Sequence, residues 1–147
     1  MIEKKLIKVK LDQIIPYENN PRKNEKTIDI VSKSIKQTGY NNPIIVDENM
    51  VILAGHTRRL ALIKNGIKEA EVLQVSGLSE EKKKKFRLLD NKVAEYATWD
   101  SEKLAKELYG LDWDDLIVDW GLKGPEIEEE EETYKYVCPE CGFHFNA

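Results

Sequence analysis

A chain of 147 residues, 41% hydrophobic and 34% charged, has material for one folded core plus an appendage. It has no apolar run near the ~20 residues a bilayer needs, no signal-peptide core in Met1-Ile2-Glu3-Lys4-Lys5, and no cysteine outside one C-x-x-C, which together argue for a cytoplasmic protein without membrane spans or a disulfide framework. The net charge of −4 excludes a uniformly basic nucleic-acid coat, but Glu126 and Glu128 to Glu132 carry much of it, so the remainder is near neutral or slightly basic.

From Lys5 to Ile15, apolar and polar residues alternate at Leu6, Val9 and Leu11, which predicts a strand that Pro16 ends. Tyr17 to Asn24 reads as a loop by its Asn and Pro content. Asn24 is placed to cap a helix running to Thr38, with Ile28, Val31 and Ile35 as its buried stripe and Gly39 as its stop. Pro43 to Val46 predicts a buried strand, and Asp47-Glu48-Asn49 turns it into Met50 to Ala54 as a hairpin.

Gly55 separates that strand from a helix opening His56-Thr57-Arg58-Arg59 and closing at Gly66. Ala70 to Val75 predicts a further strand. Ser79 caps a long helix with Glu80 and Glu81 in its first turn, where negative charge is favourable. Phe86, Leu89, Val93 and Ala97, at 3–4 spacing, mark its expected core face. Asp100 caps a shorter helix with Leu104 and Leu108, and Asp112 and Asp115 open a last one with Leu116, Ile117 and Trp120. The body is thus expected to span residues 1–122. Residues 123–133 form an acidic linker that cannot bury enough apolar surface to fold alone, and residues 134–147 a small separate hairpin.

Several stretches hold polar residues that a fold alone does not require. At the central turn, Gly55 has no Cβ and lets the backbone approach a ligand. The unpaired amides of the next helical turn, its macrodipole, and Arg58 and Arg59 make an anion site, with phosphate the favoured anion. A strand–helix corner with solvated arginines accounts for the same residues. Arg22 either reaches over that site or belongs to a proline turn. Asn41 and Asn42 can offer a donor and an acceptor to a base or sugar, or simply form a turn. On the long helix, Arg87, Asp90, Asn91 and Glu95 recur at helical spacing on a face away from Phe86 and Val93. A carboxylate beside an amide suits a Mg²⁺ ion that also takes triphosphate oxygens. A solvated face with an Arg–Asp ion pair is the alternative. In the tail, Cys138 and Cys141 are half of a zinc site. His144 offers a third ligand, and the same cysteines of a second chain would complete Cys₄ across a homodimer. A redox pair and a metal-free remnant compete with that reading.

Together, Pro16-Tyr17-x-x-Asn20-Pro21-Arg22, Pro43-Ile44-Ile45-Val46, Gly55-His56-Thr57-Arg58-Arg59, Asp90-Asn91-Lys92 and Trp99-Asp100 resemble the ParB-like (ParB/sulfiredoxin) domain over roughly residues 5 to 122. The nearest likeness is to stand-alone phage forms and those fused to DNA methyltransferases. The resemblance implies an α+β fold, a small mixed sheet packed with helices, to which this chain adds a short C-terminal zinc-knuckle hairpin. It implies a nucleoside triphosphate, CTP or ATP with Mg²⁺, held by its phosphates on Gly55, His56, Thr57, Arg58 and Arg59. The family's Glu-Asn pair falls on Asp90-Asn91, and its nucleoside-facing segment falls near Asn41-Asn42-Pro43. The implied function is a nucleotide-binding, DNA-associated accessory of DNA modification, segregation or packaging, from a phage or mobile element. Its partners would be DNA or a DNA-processing protein such as a methyltransferase. Two alternatives stay open: a metal-dependent nuclease or phosphotransferase of the same fold, and a protein-interaction module with a vestigial pocket. The chain departs from the partition proteins at His56, where they carry an acid, and at Asp90, where they carry Glu. Residues 100 to 122 are too short and acidic for the helix-turn-helix that follows in them, and no cysteine precedes Cys138 for sulfiredoxin chemistry.

Overall fold

The computed structural model describes residues 1–23, 25–112, 118–121, 136–137, 139–140 and 144–145. The body is α+β. Strand β1 (Glu3–Lys10) is followed by α1 (Glu25–Thr38), β2 (Ile44–Val46), β3 (Ile52–Ala54), α2 (His56–Lys64), β4 (Glu69–Ser76), α3 (Glu80–Ala94) and α4 (Ser101–Leu108). The sheet order is β1-β4-β2-β3. β1 and β3 pair antiparallel to their neighbours, while β2 runs parallel to β4, placing Ile44 beside Val72 and Val46 beside Gln74. Ile44, Val46, Ile52, Leu62 and Val72 form the centre of the core, where α2 covers the sheet. Burying such side chains supplies ~25 cal/mol per Å² of apolar surface, the main force holding the short central strands.

The first strand ends earlier than its alternation predicts. Leu11–Gln13 winds into a 3₁₀ turn, with the Leu11 amide donating to the Lys68 carbonyl at 2.8 Å. That turn swings both Leu11 and Ile14 into the core, which continued alternation would not do. Ile15 then pairs as a parallel bridge with Val51. Its amide donates to Met50 O and its carbonyl accepts from Ile52 N, both at 2.9 Å. The loop carrying Tyr17 and Arg22 is therefore tied at its root to the edge of β3.

The α1 stripe of Ile28, Val31 and Ile35 is only half-buried, because Val31 and Ile35 also line an open cleft. Helix α1 instead locks to the end of α2 through Ser32, whose hydroxyl and carbonyl both bond the Asn65 amide group.

The face chosen for α3 is a correction. Leu89 and Val93 are 57% and 60% exposed, whereas Lys83 and Arg87 are 1% and 8% exposed. The inward stripe is Lys83-Arg87-Asn91, at i, i+4 and i+8, and it is polar. Lys83 can be buried because Asp47, Glu48 and Glu80 surround its Nζ at 3.1, 3.0 and 2.9 Å. Burial pulls its ammonium down, but the three carboxylates outweigh that and hold it above its ordinary range. Asp47 is itself buried, and its other oxygen accepts the Asn49 and Val51 amides at 2.9 Å each. One lysine thus fastens the start of α3 to the β2–β3 turn. The caps expected at Ser79 and Asp100 are present, accepting from Lys82 N and Lys103 N.

In the tail, β5 (Tyr136–Val137) pairs antiparallel with β6 (His144–Phe145), the hairpin that the spacing suggested. The Asn24 cap, most of the helix expected after Asp112, the linker 123–133, and Cys138 and Cys141 lie outside the described residues. Among the described residues, no helix is long and apolar enough to cross a membrane, and no cluster of three or more metal-ligating side chains occurs.

Candidate functional site

A cleft of about 810 Å³ opens where the end of β3, the start of α2, the inner face of α3, the wall of α1 and the Tyr17–Arg22 loop converge. Its floor is the turn at Gly55. Gly55 caps α2 with φ +111, the left-handed region that a side chain disfavours. A Cβ there would stand 3.2 Å from both the Ile44 backbone and Arg58 Nε. The first intrahelical bond is Arg59 N to Gly55 O at 3.0 Å, which leaves the His56, Thr57 and Arg58 amides without an intrahelical acceptor at the positive end of the helix. Gly55→Ala is expected to lower unfolding free energy by ~1–2 kcal/mol from backbone strain alone, read by urea denaturation. Unchanged stability would show that this turn relaxes freely.

The two arginines after that turn diverge. Arg58 lines the cleft and donates from Nη1 to the carbonyls of Asn42 and Pro43, at 2.9 and 2.7 Å. It clamps the nucleoside-facing segment of the resemblance against the helix start. Arg59 points the other way. Its Nε donates to Leu11 O at 3.3 Å, and it lines a shallow depression with Lys8, Lys10 and Lys68 instead. The structure therefore brings Gly55, His56, Thr57, Arg58, Arg22, Asn42, Asp90 and Asn91 to one cleft and leaves Arg59 outside it.

Arg22 lines the cleft from the loop, its guanidinium donating to Asn91 Oδ1, while Asn91 Nδ2 donates to the Arg87 carbonyl at 2.9 Å. Tyr40 stiffens the entrance to β2. Its hydroxyl accepts the Ile44 amide at 2.7 Å and donates to Glu71 O at 2.9 Å, and burial raises it above the ordinary phenol range.

Two residues that the sequence reading named take up roles that it did not give them. Arg87 is buried in the cleft wall, its Nε donates to Ile52 O at 3.0 Å, and its guanidinium lies 3.8 Å from the centre of the Tyr17 ring. Among the described residues it forms no ion pair with any carboxylate, and neither do Arg22 or Arg58. The i, i+4, i+8 recurrence Lys83-Arg87-Asn91 is the signal that could have shown its burial. Glu95, expected beside Arg87, pairs with Lys92 at 2.5 Å on the exposed side. His56 is half-buried, and its Nε2 accepts the Tyr17 amide at 3.0 Å. Burial lowers its pKa from 6.5, and the charges of Arg87 and Arg59 add to the effect.

No family model matches the chain. The ParB-like nuclease domain-containing protein YnaK of Escherichia coli (strain K12) is 36% identical over 83 residues, which cover 55% of this chain and 94% of that protein. A probable chromosome-partitioning protein ParB of Campylobacter jejuni is 33% identical over 87 residues, 56% of this chain but only 31% of that protein. Against this partition protein the chain thus matches about a third of the length. Among solved structures, the C-terminally truncated chromosome-partitioning protein ParB from Caulobacter crescentus, complexed with CTP-gamma-S, superposes with a TM-score of 0.55 at 20% identity, over 71% of this chain and 62% of that one. A pNOB8-like ParB N-domain gives 0.52 at 20% identity, over 71% and 40%. With the E. coli relative matched along nearly its whole length and the fold shared with ParB N-domains, the chain belongs to the ParB-like domain family.

Proposed function

We propose that the cleft binds the phosphates of a nucleotide, with a nucleoside triphosphate such as CTP or ATP the best-fitting class, and that the protein works beside DNA. The observation that carries this reading is Arg87, a guanidinium 8% exposed, lining the cleft with no carboxylate to neutralise it among the described residues. An unpaired buried charge is costly, and an anion in the cleft offsets that cost. Arg22 and Arg58 add two more guanidinium groups, and the α2 amides supply directed donors. In this reading Arg87 and Arg58 hold phosphate from below, Arg22 covers it, and Asn41-Asn42 meets the nucleoside. The analogue complex of the Caulobacter protein supports the choice of CTP among candidates.

Mg²⁺ fits in a limited way. Among the described residues Asp90 is the one carboxylate lining the cleft, beside Asn91, so a divalent ion would be held chiefly by phosphate oxygens and water, with Asp90 as its protein ligand. When bound, such an ion would neutralise phosphate charge. One carboxylate is a sparse donor set for two-metal hydrolysis, which favours binding over nuclease chemistry here. A phage or mobile-element origin, a cytoplasmic site of action and a methyltransferase partner accord with the same resemblance. The body boundary at residue 122 and a zinc knuckle on Cys138, Cys141 and His144, completed by a second chain, also belong to this reading.

Calorimetry against CTP, ATP, GTP and S-adenosylmethionine with Mg²⁺ tests the proposal. The expected result is binding of at least one triphosphate, weakening as salt rises, and none of S-adenosylmethionine. Absence of binding by all three triphosphates at low salt would leave the cleft without its proposed ligand.

A further inference from the structure

We propose that His56 is a positioning residue that, as a neutral imidazole, latches the Tyr17–Arg22 loop over the cleft, so that acid releases the loop and weakens anion binding. The inference rests on the cleft being an anion site. In the structure the His56 Nε2 lone pair takes the Tyr17 N–H, 39 positions away, at 3.0 Å. Accepting there places the ring proton on Nδ1. Engaged as an acceptor, Nε2 offers nothing to a phosphate, so this nitrogen serves the site through the loop.

Among the described residues, the loop has few other ties between its root and its tip. Ile15 is bonded to the edge of β3, and Arg22 reaches Asn91 on α3. Between them, Tyr17 O accepts Asn20 N at 3.2 Å, and Asn20 Oδ1 accepts Arg22 N at 3.3 Å. The Tyr17 amide is where this relay meets the rest of the fold. The ring of the same residue lies on Arg87, 3.8 Å from its guanidinium. Protonated, Nε2–H would face the Tyr17 N–H donor to donor, and the latch would open.

The charges bearing on His56 are both positive, Arg87 from α3 and Arg59 from its own helix, with the neutral Tyr17 facing it from the loop. Burial and these two charges oppose protonation in the folded state. The latch's contribution to stability is therefore complete above the free imidazole value of 6.5 and is lost as pH falls through the lower folded value.

Coulomb's law alone predicts the opposite effect on ligand. An added imidazolium beside Arg58 and Arg87 would strengthen anion binding. The sign of the pH dependence therefore separates a latch from a plain charge. Inorganic triphosphate with Mg²⁺ is titrated into wild type and His56→Gln from pH 8 down to the lowest pH at which both stay folded, each normalised to its own value at pH 8. Gln supplies an acceptor that does not titrate, and protonation of the probe is common to both. Wild type is expected to lose roughly threefold to tenfold more affinity than the variant, the worth of about one hydrogen bond. Parallel profiles, or relative tightening of wild type in acid, would overturn the latch. If neither protein binds triphosphate at pH 8, the anion reading falls, and the latch is judged by NMR. The chain has two histidines, so His56→Gln assigns the imidazole signal. The Tyr17 amide must titrate in step with His56, and a Tyr17 amide that stays flat while His56 titrates refutes the latch.

Discussion

Lys83→Met is expected to lower the unfolding free energy by about 3 kcal/mol, the low end of the ~3–5 kcal/mol seen when one partner of a buried ion pair is removed. For a chain of 147 residues this is roughly a 10 °C fall in melting temperature. The reason lies in what is left behind. Asp47 stays buried, and without the ammonium its Oδ2 is an uncompensated anion with two further carboxylates gathered at the same point. Two amide donors still serve Oδ1, which keeps the loss at the low end. Glu48 and Glu80 are exposed at this cluster and lose little. Adding Asp47→Asn to Lys83→Met should recover part of the stability, and the double-mutant cycle measures the coupling. Urea denaturation followed by circular dichroism reads all three variants. A Lys83→Met protein within 1 kcal/mol of wild type, as an order of magnitude, would show that the cluster is not a clamp. Because Arg87 and Asn91 follow Lys83 at i+4 and i+8, a loosened α3 start should also weaken the cleft.

The second large effect is on binding. Arg58→Ala and Arg87→Met are each expected to weaken triphosphate binding roughly tenfold to a hundredfold, since a hydrogen bond to a charged group is worth ~1.5–3 kcal/mol. Arg59→Ala should stay near wild type in affinity, because Arg59 stands outside the cleft and bonds Leu11 O. The fold should respond differently from the ligand. Arg87→Met removes the bond to Ile52 O and the stack on Tyr17, but it also removes an unpaired buried charge. These changes oppose each other, so stability should move by no more than ~1 kcal/mol. Arg58→Ala frees the Asn42 and Pro43 carbonyls and should loosen the segment before β2. Calorimetry with each purified variant decides the matter. Arg59→Ala losing more affinity than Arg58→Ala would mean that the phosphate lies on the opposite side of α2.

Most elements of the body could be read without coordinates, because their signals are local. The caps at Ser79 and Asp100, the hairpin across Asp47-Glu48-Asn49 and the glycine before α2 each depend on residues within a few positions. The order of motifs around Gly55 pointed to the family in the same way. Errors arose where an element's surroundings, rather than its own spacing, chose the outcome. On α3 the apolar stripe through Leu89 and Val93 is real as a pattern, yet the sheet meets the other face. That face is tolerable because Asp47 and Glu48, distant in the chain, neutralise Lys83, and Ile52 O accepts one Arg87 N–H.

Arg58 and Arg59 illustrate the division most directly. The sequence alone determined that consecutive helical residues cannot point in one direction, since each turns ~100° from the last. It could not say which one enters the cleft, because that depends on how α2 is rotated against β2 and on where the Leu11 carbonyl lies. His56 is similar: its place at the helix start is local, while its role as the Tyr17 acceptor depends on a loop 39 residues earlier. Helix starts and turns follow from short-range sterics and charge, which a linear pattern carries. Which side chain is buried, which charge is left unpaired and which nitrogen is engaged depend on groups that only folding brings within hydrogen-bond reach.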